Sequence, residues 1–502
     1  MSRFVLSSVL AAVALFASGC GASDTAQPAS TTLTLGSAID LTTFDTANIV
    51  GSAQTVYWKA VYDSLLAQNT DGTIIGGAAE RWSYNKDNTV LTLEMRNGMK
   101  FTDGTPVTAE AAVANIKHLK EAKGSNGRGL SNITDVAAAG SSVILTLAVP
   151  DPTLLQFLAS GSGVIANPRS FGSADVVFNP QGSGPYTLDA SRTAKGSRYT
   201  FVKNPDYWNA SAFPYQTVVI KPLVDITARL NALRSGQVDA APLDPKTAGQ
   251  AEEVGLNLAS YQLNWNGLVI LDRAGTVVPA LGDVRVRQAI NMAFDRDQMV
   301  KQLVLGYGVP TDQPFIEGNL AHQAGPPKYG YDLVGAKRLM AEAGYANGFA
   351  ITMPSLPDLQ DFDAVVQQDL AEIGIRVTYQ PLPADSYIPT LIAGKYPMFF
   401  FRLESQSAWY DIRLALLPQA NWNGLHSADP KLTALIETAR TAPTAEAAGG
   451  TYQEIGKFVR DEAWFAPLWF NKLVLATDKE TSATPRAGFD VPFIQDYKPA
   501  VR

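Results

Sequence analysis

The sequence predicts a mixed α/β protein built from two or three lobes, and three observations carry that reading. The chain has 502 residues, more than a single hydrophobic core usually organises. Runs with an apolar residue at every second position alternate along it with segments whose apolar residues recur every three or four. Several of the helical segments close on a glycine and pass directly into a strand-like run, the punctuation of a βαβ unit. Hydrophobic residues make up 46% of the chain and charged residues 17%, a globular composition with enough apolar surface for large cores.

The elements follow in order. Residues 5–17 (VLSSVLAAVALFA) sit behind one positive charge, Arg3, and form an apolar core too short for a bilayer span of ~20 residues. Ser18 and Gly19 then precede Cys20, the only cysteine. Residues 1–19 are therefore expected to be a signal peptide. Residues 20–32, small, polar and proline-containing, are expected to be a flexible tether. Leu33 and Leu35 alternate as in a half-buried strand. Residues 54–66 (QTVYWKAVYDSLL) place Val56, Ala60 and Leu65 on helical faces before a turn at Asp71-Gly72. Leu91, Leu93 and Met95 alternate up to Asn97-Gly98, and residues 108–120 read as a helix with Thr108 at its N-cap. Val143, Leu145, Leu147 and Val149 alternate again and stop at Pro150.

The second half is more helical. Ile226, Leu230 and Leu233 mark a helix ended by Gly236, before a strand expected at 237–240. Asp283 is expected to cap one helical stretch over 284–304 (VRVRQAINMAFDRDQMVKQLV). Leu333, Ala336, Met340 and Ala343 lead to Gly344, and Phe362, Val366, Leu370 and Ile373 lead to Gly374. Directly after Gly374 the period changes to two, through Ile375, Val377 and Tyr379. A helix thus runs through a tight glycine cap into a strand.

A formal net charge of −7 offers no basic excess for nucleic acid, and no nucleic-acid partner is expected. The three histidines, His118, His322 and His426, lie far apart with no second ligand at metal-binding spacing. HExxH, GxSxG, GxxxxGK[ST] and GxGxxG are absent. No catalytic residue, metal site or cofactor is expected, and the chain is read as a protein other than an enzyme.

Residues 91–112 read LTLEMRNGMKFTDGTPVTAEAA, a strand, a turn and a helix start. They closely resemble the signature of the family 5 extracellular solute-binding proteins of ABC transporters, the oligopeptide, dipeptide and nickel receptors. Further stretches match that family in order: VYDSLL at 61–66, GSGPYTL at 182–188, NPDYW at 204–208, RLNALRSGQVD at 229–239, DVRVRQAINMAFDRDQMV at 283–300 and AKRLMAEAGY at 336–345. The spacing around Cys20 resembles a bacterial lipobox, with Ala17 where leucine is commonest.

The resemblance implies a class II (cluster C) periplasmic-binding-protein-like fold, two α/β lobes with a hinge and an extra inserted domain. Domain I would comprise 33–61, 182–267 and 476–502, domain II 62–181, and domain III 268–475. The implied function is capture of a small ligand, foremost a short peptide, between two lobes and delivery to an ABC permease complex. A sugar, nickel complex, opine or other amide stays open as ligand, and a surface hydrolase or a sensor module as rival class. The protein would be a monomer, held to the extracytoplasmic face of a bacterial membrane by a lipid on Cys20.

In peptide receptors of the family a third-lobe strand leads to an aspartate that pairs with the peptide amine. Residues 398–402 (MFFFR) and the segment ending at Asp411 fit that position, although Ile412 follows where the family has proline. Two readings of Asp411 stay open, an amine anchor or an N-cap of residues 412–417. Arg402 is a candidate for a ligand carboxylate or for an internal pair with Glu404. Trp409, Tyr410 and Trp422 offer flat surfaces and Asn423 an amide. From the first lobe, Trp265 and Asn266 near the hinge, and Asp45 and Asn48 in the loop after the first strand, complete the expected ligand-binding set.

Overall fold

The computed structural model describes residues 31–122 and 124–500. The expected signal peptide, Cys20 and all but the end of the expected tether lie outside these residues. Among the described residues no helix is long and apolar enough to cross a membrane.

The first strand, Thr32–Ser37, alternates as its sequence predicts and lies parallel to Thr217–Pro222. It sits inside a nine-stranded sheet ordered Tyr186–Leu188, Tyr199–Lys203, Thr217–Pro222, Thr32–Ser37, Ala240–Leu243, Phe465–Thr477, Asn257–Ile270, Met398–Glu404, with Gly308–Pro310 also on Phe465–Thr477. Two strands are exceptionally long, Asn257–Ile270 and Phe465–Thr477, and they pair antiparallel. At one end Val474 to Thr477 pair with Ala240–Leu243; at the other, Asn264 to Ile270 pair with Met398–Glu404. The register shifts between Gln262 and Trp265 and again between Asn266 and Gly267. The bulges lie where the strand pair passes from one set of neighbours to the other, a place where the ladder is locally loosened and bent.

Apolar residues gather in separate cores. Leu33, Phe44, Tyr57, Tyr199, Phe201 and Ile494 belong to the first. Leu91, Leu93, Ile116, Leu119 and Val143 belong to a second, where the four-stranded sheet containing Val90–Met95 packs beneath the helix Ala109–Ala122. The largest includes Leu268, Ile290, Leu370, Phe400 and Trp469. In this last core the helix–glycine–strand step is complete: Phe349–Ser355 and Ile375–Pro381 pair in parallel around the helix Gln360–Glu372. Gly374 supports the tight step with a φ of 85°, a conformation open to glycine at little cost.

Three elements depart from their sequence-based expectation. The helix over 54–66 is only Thr55–Val61, because Tyr62 turns extended and Asp63–Ser64 pairs with Val164–Ile165. A tertiary strand pairing overrides local helical periodicity there. The stretch 284–304 is two helices, Val284–Met292 and Arg296–Leu303, since Asp295 caps the second by accepting from the Gln298 N–H at 3.0 Å. The strand expected at 237–240 starts only at Ala240, as Asp239 turns its carboxylate to accept from the Thr34 N–H at 2.7 Å.

Four of the seven matching stretches meet at one point. Asp63 of VYDSLL accepts hydrogen bonds from Ser183 Oγ of GSGPYTL (2.9 Å) and from Tyr207 Oη of NPDYW (2.8 Å), with Trp208 Nε1 at 3.5 Å. Arg96, from the signature, stacks 3.9 Å from the Trp208 ring centre. Gly182 and Gly184 let the chain touch the end of the first helix: a Cβ at Gly182 would lie 1.8 Å from the Val61 carbonyl oxygen. These motifs therefore build the joint between the first two cores.

Candidate ligand site between the lobes

A cavity of about 220 Å³ lies where the cores approach one another. Its walls come from the loop and helix at 49–58, from 156–161 of the second core's segment, from 404–410 beside the largest core, and from 488–490 near the C-terminus. Leu263, on one of the two long strands, closes one side.

Local structure explains how the 404–410 wall forms. Met398–Glu404 is apolar and buried for most of its length and ends at Glu404. Two residues of turn lead to Ser407, whose Oγ accepts from the Tyr410 N–H at 3.3 Å and caps the helix Ala408–Ala415. The helix carries Tyr410 back toward the strand end, so its hydroxyl donates to Glu404 Oε2 at 2.9 Å while Gln406 Nε2 donates to the same oxygen at 3.0 Å. Asp490 approaches from the C-terminal segment. Burial, reinforced by the negative charge of Glu404 and opposed by Arg402, pushes its carboxyl up to about 6.

Asp411 is not the cap of its helix. Ser407 fills that role, and Asp411 lies in the first turn with its carboxylate folded back on the preceding loop. It accepts from Ser405 Oγ (2.7 Å), Asn319 Nδ2 (2.8 Å) and the Gln406 N–H (3.0 Å). Burial pushes its carboxyl up to about 8. It borders a separate, much smaller space shared with Trp265, Leu403 and Phe465.

Of the residues singled out from sequence, Tyr410 lines the interlobe cavity. Arg402 is exposed on the same strand as Glu404 and acts electrostatically on Asp490. Trp409 packs in the largest core, and Trp422 lies against it with its ring 4.7 Å from that of Phe401. Asn423 is fully buried: it donates to the carbonyls of Leu417 and Ser427 and accepts from the Ser427 N–H and Arg273 Nη1. Trp265 packs 5.5 Å from the Phe465 ring. Asn266 is buried opposite Arg402 and Trp469, its Nδ2 without a partner among the described residues. Asp45 accepts from Asn48 Nδ2 at 2.6 Å in a turn just before the lining residues 49–51.

The cavity also takes residues that sequence reasoning passes over. Gln156 and Phe157 come from the second core's segment and Phe489 and Asp490 from the C-terminal segment. No periodicity or motif marks them, because their shared place is set by the fold. Glu404 had a local signal, as the carboxylate that ends a strand-like apolar run.

Separate cores, the first and the largest linked by two long strands, with a cavity walled by segments of all three main cores, define a two-lobed binding protein. The chain belongs to the bacterial extracellular solute-binding proteins of family 5, whose family model, named for the middle region, matches residues 73–416. The family consists of solute-binding receptors, not enzymes. The glutathione-binding protein GsiB of Pectobacterium atrosepticum is 25% identical over 455 residues, covering 85% of each chain. Among solved structures, DppA from Helicobacter pylori in complex with peptide STSA superposes with a TM-score of 0.76 at 21% identity, covering 93% of this chain and 98% of its own. NikA from Brucella suis in complex with Fe(III)-EDTA superposes with a TM-score of 0.79 at 23% identity, covering 93% and 100%. The fold is accordingly the two-lobed class II periplasmic-binding-protein fold.

Proposed function

We propose that this protein captures a short peptide in the interlobe cavity and delivers it to an ABC permease complex from the outer side of the membrane, as a monomer anchored by a lipid on Cys20. The observation that carries the reading is the cavity's construction from separately cored parts, linked through the long strands Asn257–Ile270 and Phe465–Thr477. A ligand touching both sides stabilises only the arrangement in which both sides are near it, so closure reports occupancy. The amide side chains of Gln68, Asn126, Gln156 and Gln406 in the walls suit the alternating donors and acceptors of a peptide backbone.

The reading divides the chain into domain I (33–61, 182–267 and 476–502), domain II (62–181) and domain III (268–475). The separation of the three main cores supports that division. A lipid on Cys20 would raise the receptor's effective concentration at the permease without any new contact.

The peptide-bound state of DppA favours a peptide, and the name of the GsiB relative favours a tripeptide-sized one. Native mass spectrometry of the purified protein, before and after mild denaturation, tests this directly. Release of short peptides, glutathione included, is expected. Release of a non-peptide solute would replace the ligand and keep the class, whereas turnover of added peptide without permease would remove the class. Intact-mass analysis of the mature N-terminus tests the lipid at Cys20.

A further inference from the structure

The charged side chains that line the interlobe cavity are Glu404 and Asp490, both acidic, and among the described residues no lysine, arginine or histidine lines it. Holding two carboxylates at a partly buried site costs free energy, through desolvation and through mutual repulsion. The scaffold offsets part of that cost. Tyr410 and Gln406 donate to Glu404 Oε2, and Arg402, outside the lining, counters Asp490. The rings of Trp58, Phe157, Tyr410 and Phe489 line the same cavity and offer area to a carbon framework; Lys59 Nζ and the Arg413 guanidinium, both outside the lining, lie 5.3 Å and 4.7 Å from the Trp58 and Phe157 ring centres.

An independent observation lies on the adjoining strand. Asn264 pairs across the ladder with Glu404 and Asn266 with Arg402, so these four side chains share one face of the sheet. On that face Asn264 Oδ1 and Asn266 Nδ2 are buried without a hydrogen-bond partner. Buried polar atoms are rarely left so, and both lie on the strand paired with Glu404, outside the cavity's lining.

We propose that the cavity selects a net-cationic ligand, with an amine or guanidinium group held between Glu404 and Asp490 and its carbon framework against Trp58, Phe157 and Phe489. The inference rests on the solute-binding reading and narrows it: for a peptide it requires a basic side chain, because no basic residue in the walls balances a ligand carboxylate.

Calorimetric titration with Ala-Lys-Ala, Ala-Ala-Ala, Ala-Glu-Ala and agmatine tests the idea on the intact protein stripped of co-purified solute. The lysine peptide or agmatine is expected to bind at least tenfold more tightly than the neutral and acidic peptides, and to weaken as salt rises. Glu404→Gln and Asp490→Asn should each remove at least tenfold of the affinity for Ala-Lys-Ala or agmatine and narrow the preference for these probes over Ala-Ala-Ala. Equal affinity for all probes, preference for the acidic peptide, or indifference to both substitutions would overturn the proposal. If none of the probes binds although mass spectrometry finds a solute in the purified protein, charge selection fails and solute capture stands. If neither a probe nor a co-purified solute is bound, the solute-binding reading itself fails.

Discussion

Two boundaries between lobes differ in kind. At the joint between the first and second cores, Asp63 is buried among Ser183, Tyr207 and Trp208. Nearby, Lys59 Nζ donates to Ser64 Oγ and the Ala159 carbonyl, and Asn115 exchanges two hydrogen bonds with Ala166. The seam between the second and the largest core is held by a few contacts in which at least one side chain of each pair is partly or fully exposed. Arg413 pairs with Asp151 at 2.9 Å and reaches Thr153 at 3.0 Å, Gln156 meets Gln406 and Ser407, and Asn88 donates to the Ala442 carbonyl. A buried polar network is costly to break, because each severed partner stays desolvated. Half-exposed pairs exchange readily with water. The difference predicts that the first boundary holds more firmly than the second, the arrangement expected of a receptor whose lobes close around a ligand.

The largest effect should follow from breaking the firmer side. Asp63→Ala strands the Ser183 and Tyr207 hydroxyls and is expected to lower the unfolding free energy by about 3 kcal/mol. Gly182→Ala should cost a comparable amount, since its Cβ would enter the space of the Val61 carbonyl. Urea titration followed by tryptophan fluorescence measures both. Midpoints equal to wild type would show that the joint is no more firmly held than the seam. The folded fraction of either variant should bind ligand normally, as neither residue lines the cavity.

This contrast also separates what the sequence could and could not reveal. Short-range features were legible: the alternation of Leu91, Leu93 and Met95, the cap at Asp283, and the step through Gly374 all appear as expected. The motif matches mark scaffold, and four of them assemble the joint. Their meeting at Asp63 was hidden, since Ser183 and Tyr207 lie 120 and 144 residues away. Asp490 was hidden for the same reason. Asp411 shows a subtler failure: the helix expected over 412–417 is Ala408–Ala415, its cap is Ser407, four residues before Asp411, and Asp411 in the first turn bonds backwards. Trp409 and Asn423 looked like ligand groups by type, yet packing and an internal amide network engage them.

The two buried aspartates sharpen the comparison through pH. Asp63 spans a boundary and burial pushes its carboxyl up to about 6, whereas Asp411 ties its own loop to Asn319 and burial pushes it up to about 8. An aspartate raised in the folded state binds a proton there that the unfolded chain releases, so its contribution to stability falls as pH rises between the two values. From pH 6.5 to 7.5 Asp411 lies inside its window and Asp63 has left its own. Wild type should therefore lose up to ~1.4 kcal/mol of unfolding free energy per pH unit relative to Asp411→Asn, which cannot titrate. Lys59, pushed down to about 7 by burial, is common to both proteins and cancels in the difference. Parallel stability curves for the two proteins would show that Asp411 stays ionised in the fold.

The smallest effect on stability, and the most direct test of separability, is expected from Arg413→Ala. The Arg413 side chain is 27% exposed and that of Asp151 6%, so the pair is screened on one side and should contribute less than ~1 kcal/mol to global unfolding. Its two ends come from segments of different cores, however, so the pair favours an arrangement that keeps those cores together. Removing it shifts the open–closed balance by the same free energy that it barely shows in unfolding, and ~1 kcal/mol moves that balance about fivefold. Dyes placed on exposed residues Lys86 and Lys431, on either side of the seam, should report a larger open population by single-molecule energy transfer in the ligand-free variant. Ligand affinity should fall by no more than the same factor, since the ligand must then supply the closure that Arg413 had favoured. A variant whose distance distribution matches wild type, but whose unfolding midpoint drops as far as that of Asp63→Ala, would place the seam with the joint as a firmly held boundary.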